Sequence, residues 1–360
     1  MPAPVRPAQR NLGLDVLRIL LALVVFAFHS DMHYGCRYGV LTGFVRMGSL
    51  AMTGFFMLSG FALYLGYSQR DVMSLPGLRR FYIRRFLTLI PVYYVIQLIY
   101  CLTSHAESSL GKALMLPLQL LLVQSSVPDT FARFTNGGMW FLSCLIFCYA
   151  VYPFAQHVVG QMGRRSKFLL LVAITFLLVW MPLTVYHFHF RHIYANPFPR
   201  MLEFLMGVVL ASMMAHSPEH SGRGQALRQW WLPVLISLVL IVGVTWVNSR
   251  LHSEDTDLLL NVLVVPAMSL LIPSMYAQRL QAGPRLTRVV TYLSSVSFPF
   301  FLAQSMVFDV WGLSQHVLHY VGVDTNLLRI LVSFLICTLL SILLHELIQR
   351  PSQRLAKRIK

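Results

Sequence analysis

Long apolar runs recur along the chain, each about as long as a bilayer crossing, with short arginine-bearing stretches between them. A helix that crosses the hydrocarbon needs about 20 apolar residues. By that measure the pattern predicts about ten spanning helices. They fall near 12–33, 44–67, 82–102, 139–157, 168–187, 199–215, 230–248, 258–276, 290–312 and 327–348. A further apolar piece, Ala113–Val123 beside Pro117, is too short to cross and reads as re-entrant or interfacial. No internal repeat or low-complexity segment interrupts the series. Residues 1–350 therefore read as one membrane domain, and 351–360 as a short basic tail.

Composition supports this reading. Charged residues make up 12% of the chain and mean hydropathy is +0.64. A soluble domain carries about 25% charged residues. The fold class expected is an all-α polytopic membrane bundle. The net charge of +16 changes the picture only once it is placed. With the N-terminus in the cytoplasm, most of the 29 Lys and Arg fall on the cytoplasmic side, as the positive-inside rule requires. Both termini are then cytoplasmic, and the positive charge contacts membrane lipid. No nucleic-acid-binding motif is present, so nucleic acid is not expected as a partner. The stretch after Arg6 and Arg10 is too long for a signal-peptide core and lacks a cleavage site, so it reads as a retained first span. The five cysteines are scattered without a CxxC pair and read as small buried hydrophobes.

The first span, LDVLRILLALVVFAFHS, carries Asp15, Arg18 and His29. A charge at mid-membrane costs ~2.5–3.5 kcal/mol on insertion scales, so such groups face a bundle interior or a wet cavity. Arg18 and His29 are eleven residues apart, about three turns, which puts them on one face about 16 Å apart. Asp15, three residues before Arg18, joins that face. Two plainer readings stand beside a functional line. In the first, Asp15 and Arg18 pair at the cytoplasmic interface, with Arg18 snorkelling, and His29 is simply hydrogen-bonded near the outer surface. Alternatively, His29 and His33 hold a metal, although no HExxH glutamate accompanies them, and none is expected.

Leu14-Asp15-x-x-Arg18, then ten residues, then His29, resembles the first-helix signature of acyltransferase family 3. Other stretches agree in order. Gly54-Phe55-Phe56-Met57-Leu58-Ser59-Gly60-Phe61 resembles the family's FFxLSGF stretch. Arg84-Arg85 through Pro91-Val92-Tyr93 resembles its RRxxRIxPxY stretch. Trp140-Phe141-Leu142 with Tyr149 and Pro153, and Arg200 with Glu203-Phe204-Leu205-x-Gly207, resemble two later helices. Two positions depart from the pattern. Thr88 stands where a second arginine is common, leaving Arg80 and Arg84 to substitute. Gln304, in Phe301-Leu302-Ala303-Gln304, stands in the place of a histidine.

The resemblance implies a multi-pass O-acyltransferase of the inner or plasma membrane, of the stand-alone type. The domain over 1–350 is then the acyltransferase domain. Acetyl-CoA or another acyl-CoA is the implied co-substrate, with no permanently bound cofactor. A cell-surface glycan or lipid-linked glycan is the implied acceptor. His29 is the expected general base, since a neutral imidazole suits taking a hydroxyl proton near neutral pH. Arg18 stays protonated and serves donor binding and electrostatics, and Asp15 orients it. Arg80, Arg84 and Arg85, read as a cluster before the third helix together with Arg79, suit CoA phosphates or plain lipid anchoring. Trp140, Glu203 and Tyr93 are the expected substrate-binding residues. For Trp140 the plainer reading is an interfacial aromatic, and for Glu203 a helix ion pair with Arg200. Ser59 reads as packing rather than as a nucleophile, because its context is not G-x-S-x-G. The stretch from Tyr186 to His192 reads as an outer interfacial loop. A glycan-intermediate transporter, or a non-catalytic membrane protein, is the competing class. A transporter would be expected to show broken helices in paired halves.

Overall fold

The computed structural model describes residues 10–103, 109–127, 139–188, 194–215, 223–248, 256–278, 280–310, 313–322 and 325–359. The described residues are mostly helical and contain no strand. In chain order the helices are α1 (Leu12–Tyr34), α2 (Ala51–Tyr67), α3 (Leu75–Thr103), α4 (Ser109–Leu120), α5 (Met139–Gln161), α6 (Arg164–Phe188) and α7 (Pro197–Ala215). Then follow α8 (Arg223–Asn248), α9 (Thr256–Ala277), α10 (Pro284–Ser305), α11 (Leu313–Val321), α12 (Asn326–Leu344) and α13 (Arg350–Arg358). The described residues of every expected span are helical, apart from a turn at Arg46 and Met47. Eight helices among the described residues are long and apolar enough to cross a membrane. The expected spans 168–187 and 258–276 lie in α6 and α9. The short piece expected over 113–123 lies largely in the 12-residue α4.

Local chemistry sets the ends of α1. The Asn11 side chain accepts from the Leu14 amide at 3.1 Å, satisfying one of the donors that a helix start leaves unpaired. Gly35 takes the left-handed conformation at φ 64°, and its amide closes on Asp31 O at 2.9 Å.

The bundle centre is held by close backbone approach. Gly60 of α2 lies against the Phe204 carbonyl of α7, and Gly207 of α7 against the Met57 carbonyl of α2. A Cβ at either glycine would overlap that carbonyl. The glycines of the LSGF and EFxxG stretches are thus the two halves of one helix crossing, which matches small-residue packing in membranes. Large apolar side chains of α6, α8 and α12, such as Phe168, Trp231 and Leu335, point outward and form a lipid-facing rim.

One expectation needs correction, and a second gains detail. The arginines of the third span are not in a loop before it: α3 begins at Leu75 and carries Arg79, Arg80, Arg84 and Arg85 on its first turns. The expected basic tail at 351–360 is helical as far as Arg358. A π-helical segment, His345–Gln349, joins α12 to α13, which packs on α3, and Arg84 Nη2 donates to Ile359 O at 3.0 Å. A second π-helical segment, Met306–Val310, follows α10. Such insertions are frequent at functional sites.

Candidate active site

α1 and α10 pack side by side and run in the same direction, so positions along one register with positions along the other. Near the arginine-rich end, Arg18 Nη1 donates to Ser294 Oγ at 3.1 Å, and Ser294 Oγ donates to Asp15 Oδ1 at 2.6 Å. Asp15 is buried. Its other oxygen accepts from Arg10 Nε at 2.7 Å, whereas Arg18 Nη1 stands 3.5 Å away. Asp15 therefore holds Arg18 chiefly through Ser294. Three turns further on, His29 Nδ1 and Gln304 Oε1 are 2.6 Å apart. A carboxamide oxygen only accepts, so a neutral imidazole that donates to it from Nδ1 keeps its lone pair on Nε2. His33 lies 5.9 Å from His29, centroid to centroid, and Phe308 stacks on His33 at 6.0 Å. Among the described residues no three His, Cys, Asp or Glu side chains converge as metal ligands.

A cavity of about 390 Å³ opens beside Arg18. Arg18, Arg85, Tyr67 and Tyr149 line it, together with Ser59, Thr88 and the buried Gln349. Arg85 Nη2 donates to Tyr67 OH at 3.0 Å, and its guanidinium lies over the Tyr67 ring at 5.1 Å and the Tyr149 ring at 6.0 Å. A second cavity of about 770 Å³ lies outside it, between the turn after α2 and the start of α3. Arg70, Asp71, Arg80 and Arg84 line the second cavity, and Gly66 and Tyr67 line both. Asp71 is tied into the turn. Amides of Ser74, at 3.1 Å, and Met73, at 3.0 Å, hold its carboxyl below the usual range. The Nε donors of Arg84 and Arg85 are buried without a hydrogen-bond partner. Unmet guanidinium donors beside a cavity favour an anion there.

The structure thus gathers Arg18, Arg80, Arg84 and Arg85 around two adjoining cavities, with Asp15 behind Arg18 and lining neither. His29 lies beyond them and does not line either one. The expected substrate-binding residues lie elsewhere. Both oxygens of Glu203 accept from Arg200 Nη1 at 2.9 Å, and Thr53 Oγ1 adds a bond at 2.8 Å. Trp140 covers the same guanidinium at 5.4 Å, with Tyr194 at 4.6 Å and Phe56 at 5.6 Å. This is a closed polar knot inside the bundle. Tyr93 is buried and donates to Gln119 O at 2.8 Å, fastening α4 to α3. His189 to His192 lie outside the described residues.

Sequence reasoning missed Tyr67, Ser294 and Phe301, and gave Gln304 no role. A signal was present. Ser294, Ser297, Phe301 and Gln304 recur at three- and four-residue steps, one face of a helix within an otherwise apolar span.

Comparison with known proteins bears on this site. No solved structure matches the chain. An acyltransferase named MdmB, from Streptomyces mycarofaciens, is 28% identical over 327 residues, covering 82% of this chain and 78% of that protein. The profile described as "Acyltransferase domain" matches residues 11–346, which hold Asp15, Arg18, His29, the arginines of α3 and Gln304. The chain therefore belongs to acyltransferase family 3 and is a membrane acyltransferase.

Proposed function

We propose that this acyltransferase moves an acetyl group from cytoplasmic acetyl-CoA to a hydroxyl of a cell-surface polysaccharide or its lipid-linked precursor. The observation that carries the reading is the alignment on α1 and α10: a cavity with Arg18 on its wall, then His29 with its Nδ1 held by Gln304. The CoA phosphates bind in the outer cavity against Arg80 and Arg84, and Arg85 holds the start of the pantetheine arm at Tyr67. The arm runs past Arg18 and brings its thioester toward His29.

His29 Nε2 then takes the acceptor hydroxyl proton as the oxygen attacks the thioester carbonyl carbon. The tetrahedral intermediate collapses with cleavage of the carbon–sulfur bond. The proton passes from the imidazolium to the departing CoA sulfur, so an ester and free CoA leave a neutral His29. Arg18 supplies fixed positive charge along the donor path, and Asp15 and Ser294 keep it in place. Membrane lipid surrounds the bundle. Neither CoA nor the glycan is a resident cofactor.

The test is release of CoA thiol from acetyl-CoA by the detergent-purified full chain, with glycan extract from host membranes as acceptor. Extract-dependent release that disappears in His29→Ala supports the reading. Equal release in wild type and His29→Ala overturns the role of His29. No release from acetyl-CoA or longer thioesters overturns the CoA donor.

A further inference from the structure

Gln156 of α5 is buried and lines neither cavity. Its Nε2 donates to Tyr67 O at 2.8 Å and to Arg70 O at 3.2 Å. Its Oε1 is buried without a hydrogen-bond partner among the described residues. A carboxamide with one end unmet is costly inside a bundle, so what it contributes lies at the donor end.

The two carbonyls belong to the end of α2 and the turn after it. The last carbonyls of a helix have no partner within it. Tyr67, the last residue of α2, also accepts from the Arg70 amide at 2.8 Å. One turn before Gln156, Tyr152 OH donates to Leu63 O at 3.1 Å. Two side chains of α5 thus pin the end of α2 and the backbone of Arg70.

Arg70 is exposed and lines the outer cavity with Arg80 and Arg84. Its guanidinium lies over the Tyr67 ring at 4.9 Å. Asp71 beside it is tied to the amides of Met73 and Ser74. A surface arginine loses side-chain freedom when it takes a ligand. Here the carbonyl is held by Gln156 and the guanidinium rests on Tyr67 before any ligand arrives, which lowers that cost.

We propose that Arg70 is a further cation for the donor phosphates and that Gln156 is its positioning residue, acting through the turn carbonyls. The inference rests on the donor reading above, which gives the outer cavity to the CoA phosphates.

The experiment compares wild type, Arg70→Met, Gln156→Met and the double variant, each as the full chain in detergent with host membrane extract. Steady-state CoA release gives kcat and the KM for acetyl-CoA. The adenosine bisphosphate end of CoA, added alone, serves as competitor and gives a Ki for the phosphate site. Each single variant is expected to raise both KM and Ki about tenfold, the scale of one lost charge-assisted hydrogen bond, with kcat near the wild-type value. Because Gln156 acts through Arg70, the double variant should match Arg70→Met and not multiply the two losses. Losses that multiply, or a Gln156→Met that lowers kcat and leaves KM and Ki unchanged, overturn the positioning role. Gln156→Asn keeps the carboxamide one methylene short of the carbonyls and decides the matter if Gln156→Met fails to fold. Unchanged KM and Ki in Arg70→Met overturn Arg70 as a phosphate cation. A wild type that releases no CoA from acetyl-CoA overturns the donor reading instead.

Discussion

His29 and Gln304 approach to 2.6 Å across the α1–α10 interface, the imidazole Nδ1 meeting a carboxamide oxygen. Gln304 is fully buried. A carboxamide orients the ring and fixes its tautomer, yet cannot carry a proton away. In the proposed mechanism Gln304 is a positioning residue. Gln304→Met keeps the volume and removes the acceptor, so kcat should fall about tenfold, the upper end of one lost hydrogen bond. The KM for acetyl-CoA should stay near the wild-type value. A rise in KM with unchanged kcat would place Gln304 in donor binding instead.

Arg85 is held by the Tyr67 hydroxyl and by two tyrosine rings where the two cavities adjoin. A lysine there keeps the charge but loses the planar fork and the stacking. Arg85→Lys should raise the KM for acetyl-CoA about tenfold, with little change in kcat, in steady-state CoA-release assays.

Gly207 has no room for a side chain against the Met57 carbonyl. Gly207→Ala should cost about 1–3 kcal/mol through forced separation of α2 and α7. Thermal unfolding of the purified chain in detergent would register it as a lowered midpoint. Gly160, inside α5 with open space where a Cβ would go, is the control site, and Gly160→Ala should not lower the midpoint.

Glu203 and Arg200 test scaffold against acceptor binding. Glu203→Gln leaves a buried guanidinium without its counter-charge and should destabilise by about 3–5 kcal/mol. The double variant Arg200→Met with Glu203→Leu removes both charges and should recover most of that loss in the same unfolding measurement. Recovery of stability together with normal acceptor turnover would assign the pair to the scaffold.

Much of the bundle was readable from the chain because its causes are local. A run of about 20 apolar residues must form its hydrogen bonds internally and so becomes a helix wherever it sits in lipid. The described residues of all ten expected spans are helical for that reason, apart from the turn at Arg46 and Met47. Asp15, Arg18 and His29 were readable too, since a charge is rarely tolerated in an isolated span. Helix-to-helix contacts were not readable. Glu203 appeared as a candidate because a buried acid draws attention, yet Arg200, Thr53 and the aromatic side chains around them consume it. The arginines of α3 appeared as one cluster, yet the helix turns Arg85 toward Arg18 and Arg80 with Arg84 toward the outer cavity. The helical steps Ser294, Ser297, Phe301 and Gln304 mark a face, but the role of Gln304 lies in a residue 275 positions away. The sequence by itself determined the helices, their order and the polar line on α1. Only the tertiary structure decided which residues face that line, because packing brings side chains together by helix register and crossing and not by distance along the chain.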